Sequence, residues 1–182
     1  MKKLTPFFIA VLFVFSLYAQ RNIQWASPVE SSHVKNFYKI DEGVYRSAQP
    51  NTKAFAELEK MGISEILNLR YYFSDRNPAR NSSLILHQVK MHAGNSKWEE
   101  LVKALRIIKN RKGPIVIHCW HGSDRTGIVC ALYRLVFQDW TKEEAIDELE
   151  NGGYGYHSGV YSNIKTFIQN VDVATLKNAL NL

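Results

Sequence analysis

Ile115, Val116 and Ile117 form a fully apolar run, preceded by Gly113-Pro114 and followed by the polar segment 118–126. A strand that is apolar at consecutive positions is buried on both faces, so it belongs at the centre of a sheet covered by helices on both sides. A second long apolar stretch, from Arg125 to Phe137, reads as a helix. A buried strand, a short polar loop and a buried helix in succession limit the chain to an α/β architecture.

The rest of the chain agrees. Phe37 to Ile40 and Val44 to Ser47 are short strand-like runs, and Asp41, Glu42 and Gly43 between them read as a hairpin. Pro50 and Asn51 open a helix with apolar positions at Phe55, Leu58 and Met61, and Gly62 stops it. Ile63 to Leu69 and Leu84 to Val89 are strands separated by a loop at 70–83. Trp98, Leu101, Val102, Leu105 and Ile108 recur at helical spacing, and Thr141 with Glu144 makes a capping box for a helix that ends at Gly152-Gly153. A last helix is predicted over roughly Ser162 to Gln169. Strands alternating with helices imply an α/β fold with a central, mostly parallel sheet of about four to five strands flanked by helices.

In such folds ligands sit at the carboxyl ends of the strands. The apolar strand delivers the chain to His118-Cys119-Trp120-His121-Gly122-Ser123-Asp124-Arg125-Thr126-Gly127. A helix N-terminus presents unpaired N–H groups and positive partial charge, which suits an anion and favours the nucleophilic thiolate form of a cysteine. Cys119 is therefore the candidate nucleophile. Arg125 follows six residues on, and its planar guanidinium can grip two oxygens of one phosphate. Trp120, His121, Gly122, Ser123 and Asp124 complete the candidate phosphate loop. His118 is expected to hold the loop by hydrogen bonds, and Thr126 to donate its hydroxyl to the Cys119 sulfur. Gly122 permits a tight backbone turn and Gly127 close helix packing. Arg46 and Arg70 are expected to brace the loop from behind. Tyr154, Tyr156 and Tyr161, beside Gly152, Gly153 and Gly155, form an aromatic patch that either lines the pocket or packs as a corner.

A cysteine, five residues and Arg-Thr, preceded by His, is similar to the phosphate loop of protein tyrosine and dual-specificity phosphatases. The Val44-Tyr45-Arg46-Ser47-Ala48-Gln49-Pro50 run, the strand end Leu67-Asn68-Leu69-Arg70 and the stretch from Trp140 through Gly153 resemble the exported bacterial branch of that family. The resemblance covers roughly residues 36–180. It implies a cysteine-phosphatase fold and hydrolysis of phosphate monoesters through a phosphocysteine, without metal or other cofactor. The substrate it implies is a phosphotyrosyl or dual-specificity protein substrate.

The chain departs from that family at the general acid, an Asp on a loop upstream of the Cys. The matching region here reads His92-Ala93-Gly94-Asn95-Ser96. Three replacements are open: Asp124 inside the loop, Asp75 in the long loop after the third strand, and His92 or a water. Asp124 beside Arg125 resembles the loop of myotubularin-type phosphoinositide phosphatases. An inositol-phosphate or phosphoinositide phosphatase is accordingly the alternative function, and a phosphate-binding pseudophosphatase a third.

Lys2 and Lys3 followed by an apolar run from Phe7 through Tyr18 read as a signal peptide over 1–19, too short to span a bilayer. Its removal takes two lysines, so the formal charge falls from +6 to +4. Residues 20–35 are pattern-free and read as a linker or loosely docked arm, leaving a phosphatase domain over 36–182. The expected compartment is the periplasm or the exterior of a bacterium. Expected partners are a phosphorylated protein or small phosphorylated molecule, with no nucleic acid and no stable membrane insertion; the oligomeric state is not legible. Cys119 and Cys130 are expected not to pair, because the 125–137 helix carries Cys130 more than a turn away from the loop. The six histidines are scattered without metal-ligand spacing.

Overall fold

The computed structural model describes residues 21–182. The segment 1–19 assigned to a signal peptide lies outside the described residues. A six-stranded sheet forms the centre: β1 (Ser27–Pro28), β2 (Tyr38–Lys39), β3 (Val44–Ser47), β4 (Glu65–Arg70), β5 (Ile85–Met91) and β6 (Ile115–His118), in the order β1-β2-β3-β6-β4-β5. The pairs β3–β6, β6–β4 and β4–β5 are parallel; β1–β2 and β2–β3 are antiparallel. The apolar strand β6 lies inside the sheet, between β3 and β4, as its composition requires.

Helices cover both faces: α1 (Thr52–Lys60), α2 (Trp98–Lys109), α3 (Asp124–Phe137), α4 (Lys142–Asn151), α5 (Ser162–Asn170) and α6 (Val173–Ala179). Side chains alternate between faces along each strand. Val116 and Ile66 therefore join Phe55 and Leu58 of α1 in one core, while Ile115, Ile117, Leu67 and Leu69 join Leu101, Leu105, Val129 and Leu132 in the other. Asn51 caps α1 by accepting from the Ala54 N–H at 2.9 Å, and the Thr141–Glu144 capping box closes the start of α4. Gly127 lets α4 approach α3, since a Cβ there would meet the Leu149 side chain at 2.6 Å.

Two expectations give way. The chain does not end on α5, because Asp172 accepts from the Ala174 and Thr175 N–H groups and starts α6. Nor is the segment before residue 36 loosely docked. Ser27 and Pro28 add a strand to Tyr38–Lys39, and the Arg21 guanidinium lies 5.5, 5.2 and 5.4 Å from the rings of Trp25, Tyr38 and Tyr154. Its Nη2 donates to the Ala26 carbonyl at 2.7 Å and to the Tyr154 hydroxyl at 2.9 Å.

Glu148 ties that arm to the helices. Its carboxylate accepts from Arg134 Nε and Nη2, each at 2.8 Å, from the Ala26 N–H at 2.6 Å and from the Tyr154 hydroxyl at 2.9 Å. Burial alone would push the carboxyl up, but the Arg134 bonds and charge, with the Ala26 and Tyr154 donors, hold it below the usual carboxylate range. Glu148→Ala leaves the buried Arg134 charge unpaired and should cost about 3–5 kcal/mol of unfolding free energy, measured by urea denaturation. Because the folded-state carboxyl is depressed, Glu148's stabilisation is full above the unfolded value near ~4.3 and is lost as pH falls through the folded value. A Glu148→Ala protein as stable as wild type at neutral pH would contradict this role.

Candidate active site

Strand β6 ends at His118, and α3 begins at Asp124, so residues 119–123 form the loop at the carboxyl edge of the parallel strands. Cys119 is 2% exposed, at the floor, while Trp120 and His121 point outward and Ser123 and Asp124 are buried again. The loop turns at Gly122, whose φ of +77° is left-handed and whose missing Cβ would meet the Ser47 carbonyl oxygen at 2.5 Å. Conformation and space both demand glycine there. Among the described residues, no N–H group from Trp120 to Arg125 donates to a protein acceptor. Backbone donors left free around a helix start form a cradle for a tetrahedral anion.

Buried polar side chains hold the loop from below. His118 is fully buried; its Nδ1 donates to the Cys119 carbonyl at 3.1 Å, and its Nε2 lies 2.8 Å from Asp75 Oδ2. The other Asp75 oxygen accepts from Gln49 Nε2 at 2.9 Å. Gln49 also donates its backbone N–H to the Trp120 carbonyl at 3.0 Å and accepts from Arg70 Nη1 at 3.2 Å. Buried Arg46 donates from Nη2 to the Gly122 carbonyl at 2.8 Å, with its guanidinium 3.6 Å from the Tyr154 ring centre. Tyr154 is thus a packed corner and no pocket wall. Asn36 Nδ2 donates to the carbonyls of His121 at 2.8 Å and Tyr154 at 3.0 Å.

Arg125 emerges from the first turn of α3, half-buried, with one long contact from Nη1 to the Met91 carbonyl at 3.4 Å. Its buried Nε has no partner among the described residues. A guanidinium so sparsely bonded retains its donors for an anion. Arg70 does more than brace. Its guanidinium lies 4.4 Å from the Phe73 ring and 4.1 Å from the Trp120 ring. Burial and the nearby Arg125 charge lower its basicity, opposed by the charges of Asp75 and Cys119. Arg70 is therefore a second cation within electrostatic reach of the Cys119 thiol.

The candidate acids separate. Asp75 is buried beneath the loop with both oxygens engaged. His92 starts the 3-10 turn Ala93–Asn95 and stacks on Tyr71, centroids 4.2 Å apart. Asp124 is 6% exposed and holds His157: Oδ1 accepts from the His157 N–H at 3.0 Å, and Nδ1 of that ring lies 3.1 and 3.0 Å from the two carboxylate oxygens. The expected Thr126 bond to the Cys119 sulfur is not formed, and the buried Thr126 hydroxyl has no partner among the described residues. Both cysteines are free and buried. Burial pushes the Cys130 thiol up to about 11.

Sequence reasoning missed Gln49, Asn36 and His157 as supports or contacts of the loop. His157 follows the Gly153-Tyr154-Gly155 run, where a polar ring after a glycine turn between two helices was the available signal.

A parallel sheet that delivers a buried thiol into a donor-lined loop, closed by an arginine on the next helix, defines the cysteine-phosphatase class. The chain belongs to the tyrosine phosphatase family, whose model matches residues 33–181, and is a phosphoric monoester hydrolase. It is 30% identical over 164 residues to the dual-specificity protein phosphatase TpbA of Pseudomonas aeruginosa, covering 89% of this chain and 73% of that one. The crystal structure of TpbA superposes with a TM-score of 0.79 at 29% identity, over 89% of this chain and 99% of that one. The catalytic core of Siw14 superposes with a TM-score of 0.71 at 25% identity, over 85% and 95%. The Saccharomyces cerevisiae inositol diphosphatase Siw14 is 31% identical over 124 residues, 63% of this chain and 44% of that one.

Proposed function

We propose that this protein hydrolyses phosphotyrosyl or dual-specificity phosphoprotein substrates, with Cys119 as nucleophile and Arg125 as phosphate clamp. The observation that carries the site assignment is the position of Cys119 at the floor of a loop whose N–H groups are free of protein acceptors. The thiolate attacks phosphorus, the ester oxygen departs, and water then cleaves the S–P bond to release inorganic phosphate. Free loop N–H groups and the two Arg125 nitrogens match the equatorial oxygens as charge spreads over them. His118, held by Asp75, and Arg46, held by Tyr154, fix the loop so that these donors need not reorganise.

Aromatic side chains at the same sheet edge support an aryl phosphate. Tyr71 and Tyr72 follow directly on β4 and Trp120 on the loop; Tyr72 is 87% and Trp120 51% exposed. Large exposed rings around a polar pocket are surfaces on which a planar substrate ring can stack. The crystal structure of a cysteine-to-serine TpbA variant is a complex with phosphotyrosine, which supports the same reading. A second reading, an inositol-phosphate or diphosphate substrate, is favoured by Arg70 beside Arg125 and by the inositol diphosphatases among its relatives.

Comparison of kcat/KM for a phosphotyrosyl peptide with that for an inositol pyrophosphate decides between them. At least a tenfold preference for the peptide is expected. The reverse preference would assign the site to inositol phosphates. The proposal includes export to the periplasm or the exterior, supported by the charge and apolar pattern of residues 1–19. Among the described residues, no helix is long and apolar enough to cross a membrane.

A further inference from the structure

We propose that His157, oriented by Asp124, is the group that protonates the leaving oxygen. This inference rests on the phosphatase reading of the Cys119 loop and supplies an acid where the 92–96 segment carries no Asp.

The turn that carries His157 is strapped to the outside of the loop at successive points. The Tyr154 carbonyl accepts from Ser123 Oγ at 2.7 Å and from Asn36 Nδ2 at 3.0 Å. Gly155 passes Ser123 with a φ of +77°, where a Cβ would stand 3.3 Å from its hydroxyl. Two residues later the backbone N–H of His157 is bonded to Asp124. These contacts bring the imidazole to the open rim, its centroid 5.5 Å from that of His121, which is the second residue after Cys119.

The division of labour follows from hydrogen bonding. Both oxygens of the Asp124 carboxylate face donors of one residue, the N–H and Nδ1 of His157, and the group is nearly excluded from solvent. The His157 side chain is 45% exposed, and its Nε2 has no partner among the described residues. A carboxylate on Nδ1 fixes the ring's orientation and keeps a proton on that nitrogen, which leaves Nε2 to exchange the other. Asp124 is the positioning residue and His157 the catalytic one. The groups around the ring are the Asp124 carboxylate from α3, the His121 imidazole from the loop, and Tyr161 with its ring centroid at 6.4 Å. Tyr156 donates its hydroxyl to the Tyr161 carbonyl, and burial pushes that hydroxyl up, so it stays neutral here. Asp124 is the carboxylate among them and bonds the ring through Nδ1.

The proton count closes over the two steps. As the Cys119 S–P bond forms and the P–O bond to the substrate breaks, the Nε2 proton passes to the departing oxygen. A neutral alcohol or phenol leaves, with a neutral imidazole still bonded to Asp124 through Nδ1. In the second step Nε2 takes a proton from the attacking water as the S–P bond breaks. Phosphate, the Cys119 thiolate and the protonated ring are regenerated.

The test uses His157→Asn, whose amide nitrogen can occupy the place of Nδ1 and keep the Asp124 bond while Nε2 is removed. kcat is measured on the mature protein with a series from an alkyl phosphate to a nitrophenyl phosphate. Wild type is expected to depend weakly on leaving-group basicity. In His157→Asn the dependence becomes steep, with a loss of about 10²-fold or more on the alkyl phosphate and a much smaller one on the nitrophenyl ester. The basic limb of the kcat–pH profile should flatten, and added imidazole should restore part of the alkyl phosphate rate in His157→Ala. Asp124→Asn should show the same leaving-group pattern with a smaller amplitude. Equal losses across the series, or an effect confined to KM, overturn the acid role of His157. A selective loss in Asp124→Asn with none in His157→Asn assigns the proton to Asp124 itself. A wild-type protein that turns over no phosphate ester overturns both this inference and the phosphatase reading, an outcome distinct from an active wild type with a flat His157→Asn series.

Discussion

Cys119→Ser is expected to abolish turnover while leaving phosphate binding nearly intact. A serine hydroxyl is far less acidic than a thiol, so the substitution removes the anionic nucleophile. The rest of the cradle does not depend on sulfur. The loop geometry is set by Gly122 at a φ of +77°, by the His118 bond to the Cys119 carbonyl, and by Arg46 on the Gly122 carbonyl. Each contact is made to backbone and survives the change. Phosphate affinity, measured by competition against a fluorescent substrate analogue, should therefore stay within a few-fold of wild type. Cys130 cannot take over, since burial pushes its thiol up to about 11 and it lies inside α3. Retention of more than about a hundredth of wild-type kcat would overturn the nucleophile assignment. Loss of both activity and phosphate binding would show instead that the sulfur supports the loop's shape.

What could be read from the sequence was what is encoded locally. The β6–loop–α3 unit is contiguous: an apolar strand, a glycine at the turn and a Cys-to-Arg spacing of six are all set within 23 residues, 115–137. Helices α1, α2 and α4 were legible for the same reason, through apolar spacing and caps. Strand β1 was not. Two residues carry no periodicity, and Ser27–Pro28 becomes a strand only because Tyr38–Lys39 is there to pair with it. The docking of the arm depends on Arg21 reaching Tyr154 and on Ala26 reaching Glu148, contacts across more than a hundred residues. Helix α6 follows α5 after a two-residue connection, so one amphipathic stretch was visible where two stand.

The site divides along the same line. The placement of Cys119 and Arg125 was legible because loop and helix position them by spacing alone. The residues that orient the loop come from elsewhere in the chain: Asn36 and Gln49 from either side of β3, Asp75 from the loop after β4, and His157 from the turn after α4. Composition cannot say which face of a loop a carboxylate will meet. Asp75 and Asp124 read alike as acids in sequence, yet one lies under His118 and the other under His157. Arg46 and Arg70 read alike as braces. Arg46 is buried on a carbonyl, whereas Arg70 is stacked between Phe73 and Trp120 and feels the charge of Arg125.

Arg125→Lys is the second large effect, and here charge is conserved while geometry is not. An ammonium is a point charge with three donors on a flexible stem, whereas the guanidinium is a planar fork that meets two oxygens at once. Arg125 has a partly buried stem, a single long contact to the Met91 carbonyl and a buried Nε with no partner among the described residues. Little in the protein holds the head other than packing, so a lysine in its place would lose the second donor and the fixed direction together. The transition state, with charge on equatorial oxygens, needs both more than the ground state does. A fall in kcat of at least ~10³-fold is expected, on the scale of other lost phosphoryl-transfer clamps. KM should change far less, because Arg70 and the loop N–H groups still attract the phosphate. Vanadate affinity should fall with kcat rather than with KM, since vanadate adopts the five-coordinate geometry of the transition state. A lysine variant within tenfold of wild-type kcat would show that charge alone suffices at this position and that Arg70 shares the clamp. Arg70→Lys in the same assay would then carry the larger loss.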